Sequence, residues 1–102
     1  MKYLEELRNE VDAIDEELVR LIAKRLRIVR EIARFKVENG IKLLDTQREF
    51  KVVEKVRRLS QELGVDPEYI ETIFKIIMLL CLREEVRYVE ECGSYRCCRE
   101  DG

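Results

Sequence analysis

The sequence contains no histidine, and this absence excludes several kinds of catalytic site. A Ser-His-Asp triad, a Cys-His pair and most zinc sites need an imidazole group. The four glycines form no glycine-rich phosphate-binding loop either. Any enzymatic activity is therefore expected to depend on positioning and electrostatics, with no metal and no cofactor.

Long apolar runs and a surplus of one charge are also missing. No apolar run approaches the roughly 20 residues that a membrane-spanning helix needs. The 20 basic and 22 acidic residues give a net charge of −2, whereas a nucleic-acid-binding protein usually carries a basic surplus. The opening segment MKYLEELRNE lacks the apolar core of a signal peptide. We therefore expect a cytoplasmic protein with neither a membrane nor a nucleic-acid partner.

Charged residues make up 41% of the chain, and Asn and Gln are scarce, a composition that suits a thermophile. Three of the four cysteines, Cys92, Cys97 and Cys98, lie near the C-terminus. We interpret 1–90 as a helical domain and 91–102 as a cysteine-rich tail. The tail is either a frayed end with free thiols or the site of a disulfide, within the tail, to Cys81 or between chains. Four cysteines allow three full pairings, and intracellular disulfides are known in hyperthermophiles.

The apolar residues of the first third of the chain predict one long helix. Positions 4, 7, 11, 14, 18, 21, 25, 28, 32 and 35 have an unbroken spacing of three and four residues, which is typical of a helix from about 3 to 38. Neither glycine nor proline occurs before Asn39-Gly40. Such a helix is roughly 50 Å long, whereas a compact domain of this size has a radius of gyration of about 13 Å. We therefore predict that two copies of the chain pair as a homodimer.

Two shorter helices follow the long one. The second is predicted from Asp45 or Thr46 to about Leu63, ending at Gly64, and Thr46 with Glu49 has the spacing of a capping box. The third begins at an Asp-Pro pair, 66–67, where aspartate can cap and proline suits the first helical position, and it ends at about 89. No strand is predicted. The expected fold is all-α, with three helices per chain in an intertwined helical homodimer.

Arg25 interrupts the apolar face of the first helix. At about 100° per residue, Lys36 lies only about 20° from Arg25 around the helix axis. Arg25 alone could extend to solvent or fix the register of a coiled coil. Because an unpaired buried guanidinium is costly, the two cations together favour a pocket for a small dianion. Arg8 lies about 100° from Arg25, so it is either a surface residue or a contributor to the pocket of a second copy.

Further polar residues occur at the start of the second helix and along the third. Asp45 and Glu49 could cap the second helix or offset its dipole, but Arg48 is unfavourable at a helix start. Cys81 and Glu85 are spaced i, i+4 on the apolar side of the third helix, where a small core cysteine and an exposed glutamate are the simpler interpretation. The candidate site residues thus occur in three segments: the first helix, the start of the second helix and the third helix.

Three stretches of the sequence, LRNEVDAIDEELVRLIAKRLRIVREIARFK, LLDTQRE and YIETIFKIIM, resemble the all-helical class of chorismate mutase. The resemblance covers about residues 3–88. It implies a stand-alone isomerase that rearranges chorismate to prephenate, an early step toward phenylalanine and tyrosine. It also implies an intertwined dimer of three-helix chains with two equivalent sites.

The resemblance further implies roles for the cations. Arg25, and Arg8 from the opposite chain, would each bind one carboxylate of the substrate. Lys36 would reach the ether oxygen, where negative charge develops as the C–O bond breaks. Glu49 and the backbone near Asp45 would hold the ring hydroxyl.

The same resemblance places Arg48 in the pocket and two polar contacts on the third helix, at Cys81 and Glu85. Cys81 stands where a Ser or Asn is often found, and a thiol is a weaker hydrogen-bonding partner. Glu85 stands where many members have Gln and some have Glu. A glutamate can donate to the ether oxygen only when it is protonated, so burial would have to raise its pKa. Glu84 would face the pocket instead if the helix were rotated by one residue.

Two other functions fit the same sequence. One is a related lyase on this scaffold that splits pyruvate from isochorismate, which would need the same cations. The other is a helical dimerisation or regulatory module without catalytic activity.

Overall fold

The computed structural model describes residues 1–94, which form three α-helices and no strand. These helices are α1 (Lys2–Glu38), α2 (Thr46–Leu63) and α3 (Pro67–Ser94). The all-α fold and the limits predicted for α1 and α2 are confirmed to within a residue. The predicted end of α3 near 89 is wrong by five residues, because the apolar pattern stops there but the helix does not. Glu91 extends the packed part of α3 by accepting a hydrogen bond from Arg30 of α1 at 3.0 Å.

The start of α2 is fixed by Asp45. Its backbone is extended, and its Oδ1 accepts a hydrogen bond from the backbone N–H of Arg48 at 3.0 Å. Thr46 is therefore the first residue inside the helix, and the predicted capping box of Thr46 and Glu49 is not formed. Gly64 ends the helix in the left-handed region, with a φ of 73°, which glycine adopts without steric cost.

Helix α3 contacts both other helices and aligns them. Arg30 of α1 pairs with Glu84 at 2.8 Å, and Arg57 of α2 pairs with Glu71 at 2.6 Å. Such partly exposed ion pairs stabilise a fold by at most about 1 kcal/mol each, so their main effect is to set orientation. All three helices contribute to the buried core, which consists of Val29, Ala33, Val52, Val56 and Cys81.

The N-terminal half of α1 extends away from this core. Five apolar side chains at a spacing of three and four residues are 39 to 58% exposed, namely Leu7, Val11, Ile14, Leu18 and Leu21. The radius of gyration is 18.1 Å, against about 13 Å for a compact domain of this length. The described part of the chain therefore leaves a continuous apolar face of its longest helix uncovered.

Candidate active site

A cavity of about 460 Å³ lies where the C-terminal half of α1, the start of α2 and the middle of α3 meet. Its volume is in the range of sites for small molecules, roughly 300 to 1,000 Å³. Seven polar or charged residues line it: Arg25, Lys36, Asp45, Arg48, Glu49, Cys81 and Glu85. Seven apolar residues complete its walls: Ile28, Val29, Ile32, Leu43, Val52, Met78 and Leu82. The structure thus brings together every predicted site residue except Arg8.

Arg25 is the cation that lies nearest the middle of α3. It is half-buried, and its Nη1 donates a hydrogen bond to the Sγ of Cys81 at 2.8 Å. Within residues 1–94, Arg25 has no carboxylate within ion-pair distance. A partly buried guanidinium without an anionic neighbour has unsatisfied binding capacity for an anion. The pattern-breaking arginine therefore faces the cavity and pairs with no carboxylate of residues 1–94.

Lys36 lies three turns further along α1, on the same side of the helix. Its Nζ donates a hydrogen bond to the backbone carbonyl of Leu43 at 2.6 Å and lies 3.6 Å from Oε1 of Glu85. Only 15% of the side chain is exposed. The Leu43 carbonyl was missed in the sequence, because a backbone acceptor in a connecting segment leaves no side-chain signal. The ammonium group is thus held in place at the cavity wall by two oxygen atoms.

Glu85 is the most buried acidic group of the cavity, with 7% of the residue exposed. Burial raises the pKa of its carboxyl group above the ordinary value, although the charge of Lys36 opposes this shift. Glu84, the alternative considered from the sequence, bonds to Arg30 and does not line the cavity. The helix phase is therefore the one that presents Glu85, and its raised pKa increases the fraction that carries a proton.

The start of α2 supplies the remaining polar groups. The Asp45 carboxylate is engaged in capping the helix, Glu49 is half-buried, and Arg48 is exposed at the cavity mouth. Both hydrogen-bond acceptors and a cation are thus available opposite the α1 wall. This distribution suits a ligand that carries carboxylates toward α1 and a hydroxyl group toward α2.

Arg8 is exposed and does not line the cavity. It precedes Arg25 by 17 positions on the same unbroken helix, a separation of about 26 Å at 1.5 Å per residue. An arginine side chain cannot span that distance. The assignment of Arg8 to the site of a second copy stays a prediction.

The fold and the cavity define a class: an all-helical protein whose small-molecule site is built from cations and carboxylates on three helices. Residues 7–86 match the family model described as chorismate mutase type II. The chain belongs to the chorismate mutase type II family, which confirms the resemblance found in its sequence.

Similar sequences are found as a short protein and as part of larger proteins. The chain is 32% identical over 88 residues to a chorismate mutase of Methanocaldococcus jannaschii, with 86% of this chain and 89% of that protein covered. It is 36% identical over 88 residues to a bifunctional chorismate mutase/prephenate dehydratase of Aquifex aeolicus, with 83% and 24% covered. It is 31% identical over 78 residues to the T-protein of Haemophilus influenzae, with 76% and 21% covered. The chain therefore spans about a quarter or less of the two larger relatives and most of the small one.

Proposed function

We propose that this protein is a chorismate mutase, an isomerase that converts chorismate to prephenate in the biosynthesis of phenylalanine and tyrosine. One observation carries the proposal: Arg25, which lacks a carboxylate partner within residues 1–94, shares a cavity with the tethered ammonium of Lys36. Membership of the family and similarity to a short protein named chorismate mutase support it.

The chemistry of the reaction matches the side chains of the cavity. Within one molecule, the C–O bond of an enolpyruvyl ether breaks while a new C–C bond forms, so neither a nucleophile nor a proton carrier is required. Catalysis needs a flexible substrate held in a reactive conformation, with cations where negative charge develops. The apolar walls lower the local dielectric constant and strengthen those interactions. A chain without histidine can therefore perform this reaction.

The α1 wall is proposed to bind the charged parts of the substrate. The guanidinium of Arg25 would bind one carboxylate, because its planar fork matches the two oxygen atoms of that group. Arg8 of a second copy would bind the other carboxylate. Lys36 would donate to the ether oxygen, and its tether to the Leu43 carbonyl would hold the ammonium in position before the substrate arrives.

The other two helices are proposed to orient the ring. Glu49 and the backbone near Asp45 would hold the ring hydroxyl, and Arg48 would close the mouth of the cavity. Glu85, in its protonated form, would donate a hydrogen bond to the ether oxygen, beside Lys36. These two donors would stabilise the oxygen on which charge accumulates as the C–O bond breaks.

The protein is proposed to act as a homodimer. A second copy of the chain would remove the uncovered apolar side chains of α1 from water, and burial of such surface favours association. The arrangement would also supply the cavity with Arg8, which its own chain cannot deliver. A dimer would thus both cover the apolar face of α1 and complete the site.

The activity is expected to fall as the pH rises through the pKa of Glu85. Only the protonated carboxyl can donate, so kcat/KM should be constant below this raised pKa and fall about tenfold per pH unit above it. The ammonium of Lys36, 3.6 Å from Glu85, opposes this rise in the pKa. Arg25 and Cys81 line the same cavity as Glu85. The Glu85→Gln variant should have a flat profile, because an amide donates at every pH.

The matched control for this experiment is Glu84→Gln, the same change one residue earlier on α3, where the side chain bonds to Arg30 and does not line the cavity. That variant should keep the pH dependence of the unchanged protein. A Glu85→Gln variant that retains the slope would remove Glu85 from the mechanism. The measurement is kcat/KM from pH 4.5 to 9, with circular dichroism at each pH to establish that the protein stays folded.

Incubation of the purified protein with chorismate and, separately, with isochorismate tests the reaction itself. We expect chorismate to disappear with the formation of an equal amount of prephenate, and little pyruvate to be released from isochorismate. Release of pyruvate as the faster reaction would favour the lyase. No turnover of either substrate would favour a module without catalytic activity.

Location and the C-terminal tail remain predictions. Among residues 1–94, no helix has the length and apolar character to cross a membrane. The cytoplasmic location, the domain boundary at residue 90 and the thermophilic origin stay predictions from the sequence. Cys81 has a free thiol, while Cys97 and Cys98 lie outside the described residues.

A further inference from the structure

We propose that Cys81 is a positioning residue, whose Sγ holds the Arg25 guanidinium so that one edge of its fork faces the substrate carboxylate. This inference rests on the proposed function and replaces a direct contact between Cys81 and the substrate. The contact of 2.8 Å between Arg25 Nη1 and Cys81 Sγ joins α1 to α3 across the cavity wall. It is the one hydrogen bond that the Arg25 guanidinium makes within residues 1–94.

The geometry of a guanidinium explains how this contact can orient the group and still leave N–H donors for a carboxylate. Arginine has five N–H donors in a rigid plane, and the contact to Cys81 uses a donor on Nη1, the nitrogen on the Cδ side. The opposite edge, formed by Nε–H and Nη2–H, remains a complete pair for two carboxylate oxygens. The thiol therefore restrains the guanidinium of Arg25 at one nitrogen and leaves the Nε–Nη2 edge without a partner among residues 1–94.

The chemistry of a thiol is suited to this task. A carboxylate at position 81 would pair with Arg25 and compete with the substrate for the same charge. A thiol is an uncharged and weak acceptor, so it restrains the guanidinium without neutralising it. Restraint matters because an arginine loses considerable rotational freedom when it is ordered, and a side chain already ordered loses less when the substrate binds.

The contact with Arg25 argues against Cys81 as a direct substrate contact. Cys81 lines the cavity, but its thiol is a weak acceptor. Its acceptor atom is already engaged with Arg25. The substrate would therefore meet the guanidinium, while the thiol lies behind it.

A double-mutant cycle tests the inference, using Cys81→Ala, Arg25→Lys and the two changes together. Cys81→Ala alone should lower kcat/KM about tenfold, mainly by raising KM, which is the size expected for one hydrogen bond to a charged group. In the Arg25→Lys background, the same change should cost less than about twofold, because an ammonium has no fork to orient. Equal losses in the two backgrounds would show that Cys81 acts on the substrate independently of Arg25 and would overturn the inference, as would no loss in either.

Two further variants separate the hydrogen bond from packing. Cys81→Ser keeps an acceptor and should stay within about threefold of the unchanged protein, since a hydroxyl can also accept from arginine. Cys81→Val fills the space without an acceptor, and it should lose as much activity as Cys81→Ala. Thermal unfolding of each variant shows whether packing has changed. If Cys81→Val is fully active, the hydrogen bond has no role and the inference fails.

The chorismate mutase activity of the unchanged protein distinguishes a failure of this inference from a failure of the proposed function. If it converts chorismate to prephenate and the cycle is additive, only the role of Cys81 is wrong. If it converts no chorismate, the proposed function fails, and the positioning role fails with it.

Discussion

Replacing Lys36 with alanine is expected to lower kcat about a thousandfold, the loss typical of removing one preorganised donor from the developing charge of a transition state. The ammonium is held 2.6 Å from the carbonyl oxygen of Leu43 and is largely buried, so no solvent molecule could replace it with the same charge and position. The effect should fall on kcat more than on KM, because charge on the ether oxygen develops only during the reaction. Initial rates of chorismate consumption at several concentrations measure both quantities.

The matched control is Lys51→Ala, an exposed lysine on α2 that does not line the cavity. It should stay within about twofold of the unchanged protein, as a surface charge outside the site has little influence in salt. Lys36→Ala also leaves Glu85 buried without its cation, so its fold should be checked by circular dichroism. A folded Lys36→Ala protein that loses less than tenfold in kcat would contradict the role of Lys36.

Mixing two inactive variants is expected to restore about a quarter of the full activity, if each site combines Lys36 of one chain with Arg8 of the other. Arg8→Ala alone should lose at least about a hundredfold in kcat/KM, as expected for the loss of a charge pair to the substrate. In a symmetric dimer, random exchange gives about half heterodimers, and each heterodimer has one intact site of two. Refolding Arg8→Ala together with Lys36→Ala and assaying the mixture makes this measurement.

The control for the mixing experiment is Lys36→Ala with Arg25→Ala. Both residues line the cavity of their own chain, so every heterodimer site lacks one of them and no activity should return. Light scattering should give the mass of two chains in both mixtures. Failure of the Arg8→Ala mixture to recover, with dimers present, would show that the second cation does not come from another copy.

The fold was predictable wherever apolar spacing and helix-ending residues agreed. The spacing of α1 is unbroken to Phe35, and Asn39-Gly40 follows, so its limits could be predicted closely. The end of α3 could not, because the contact that extends its packing, from Arg30 to Glu91, joins residues 61 positions apart. Local sequence contains no information on such a contact before the helices are placed.

The candidate site was predictable from exceptions to the pattern. Arg25 stood out as a cation on an apolar face, and the helical repeat connected it with Lys36. Neither the acceptor at Leu43 nor the bond from Arg25 to Cys81 could be predicted, because both depend on how the chain turns after α1 and how α3 packs against it. The choice between Glu84 and Glu85 likewise required the phase of α3.

The most direct test of the proposed function is the conversion of chorismate by the unchanged protein, Arg25→Ala and Arg27→Ala, with prephenate identified as the product. Arg27 is an exposed arginine on the same helix that does not line the cavity, so its loss should change kcat/KM by less than about twofold. Arg25→Ala should lower kcat/KM at least about a hundredfold, because a carboxylate of the substrate would lose its partner. Prephenate formed at the full rate by Arg25→Ala, or none formed by the unchanged protein, would contradict the assignment of this cavity as a chorismate mutase site.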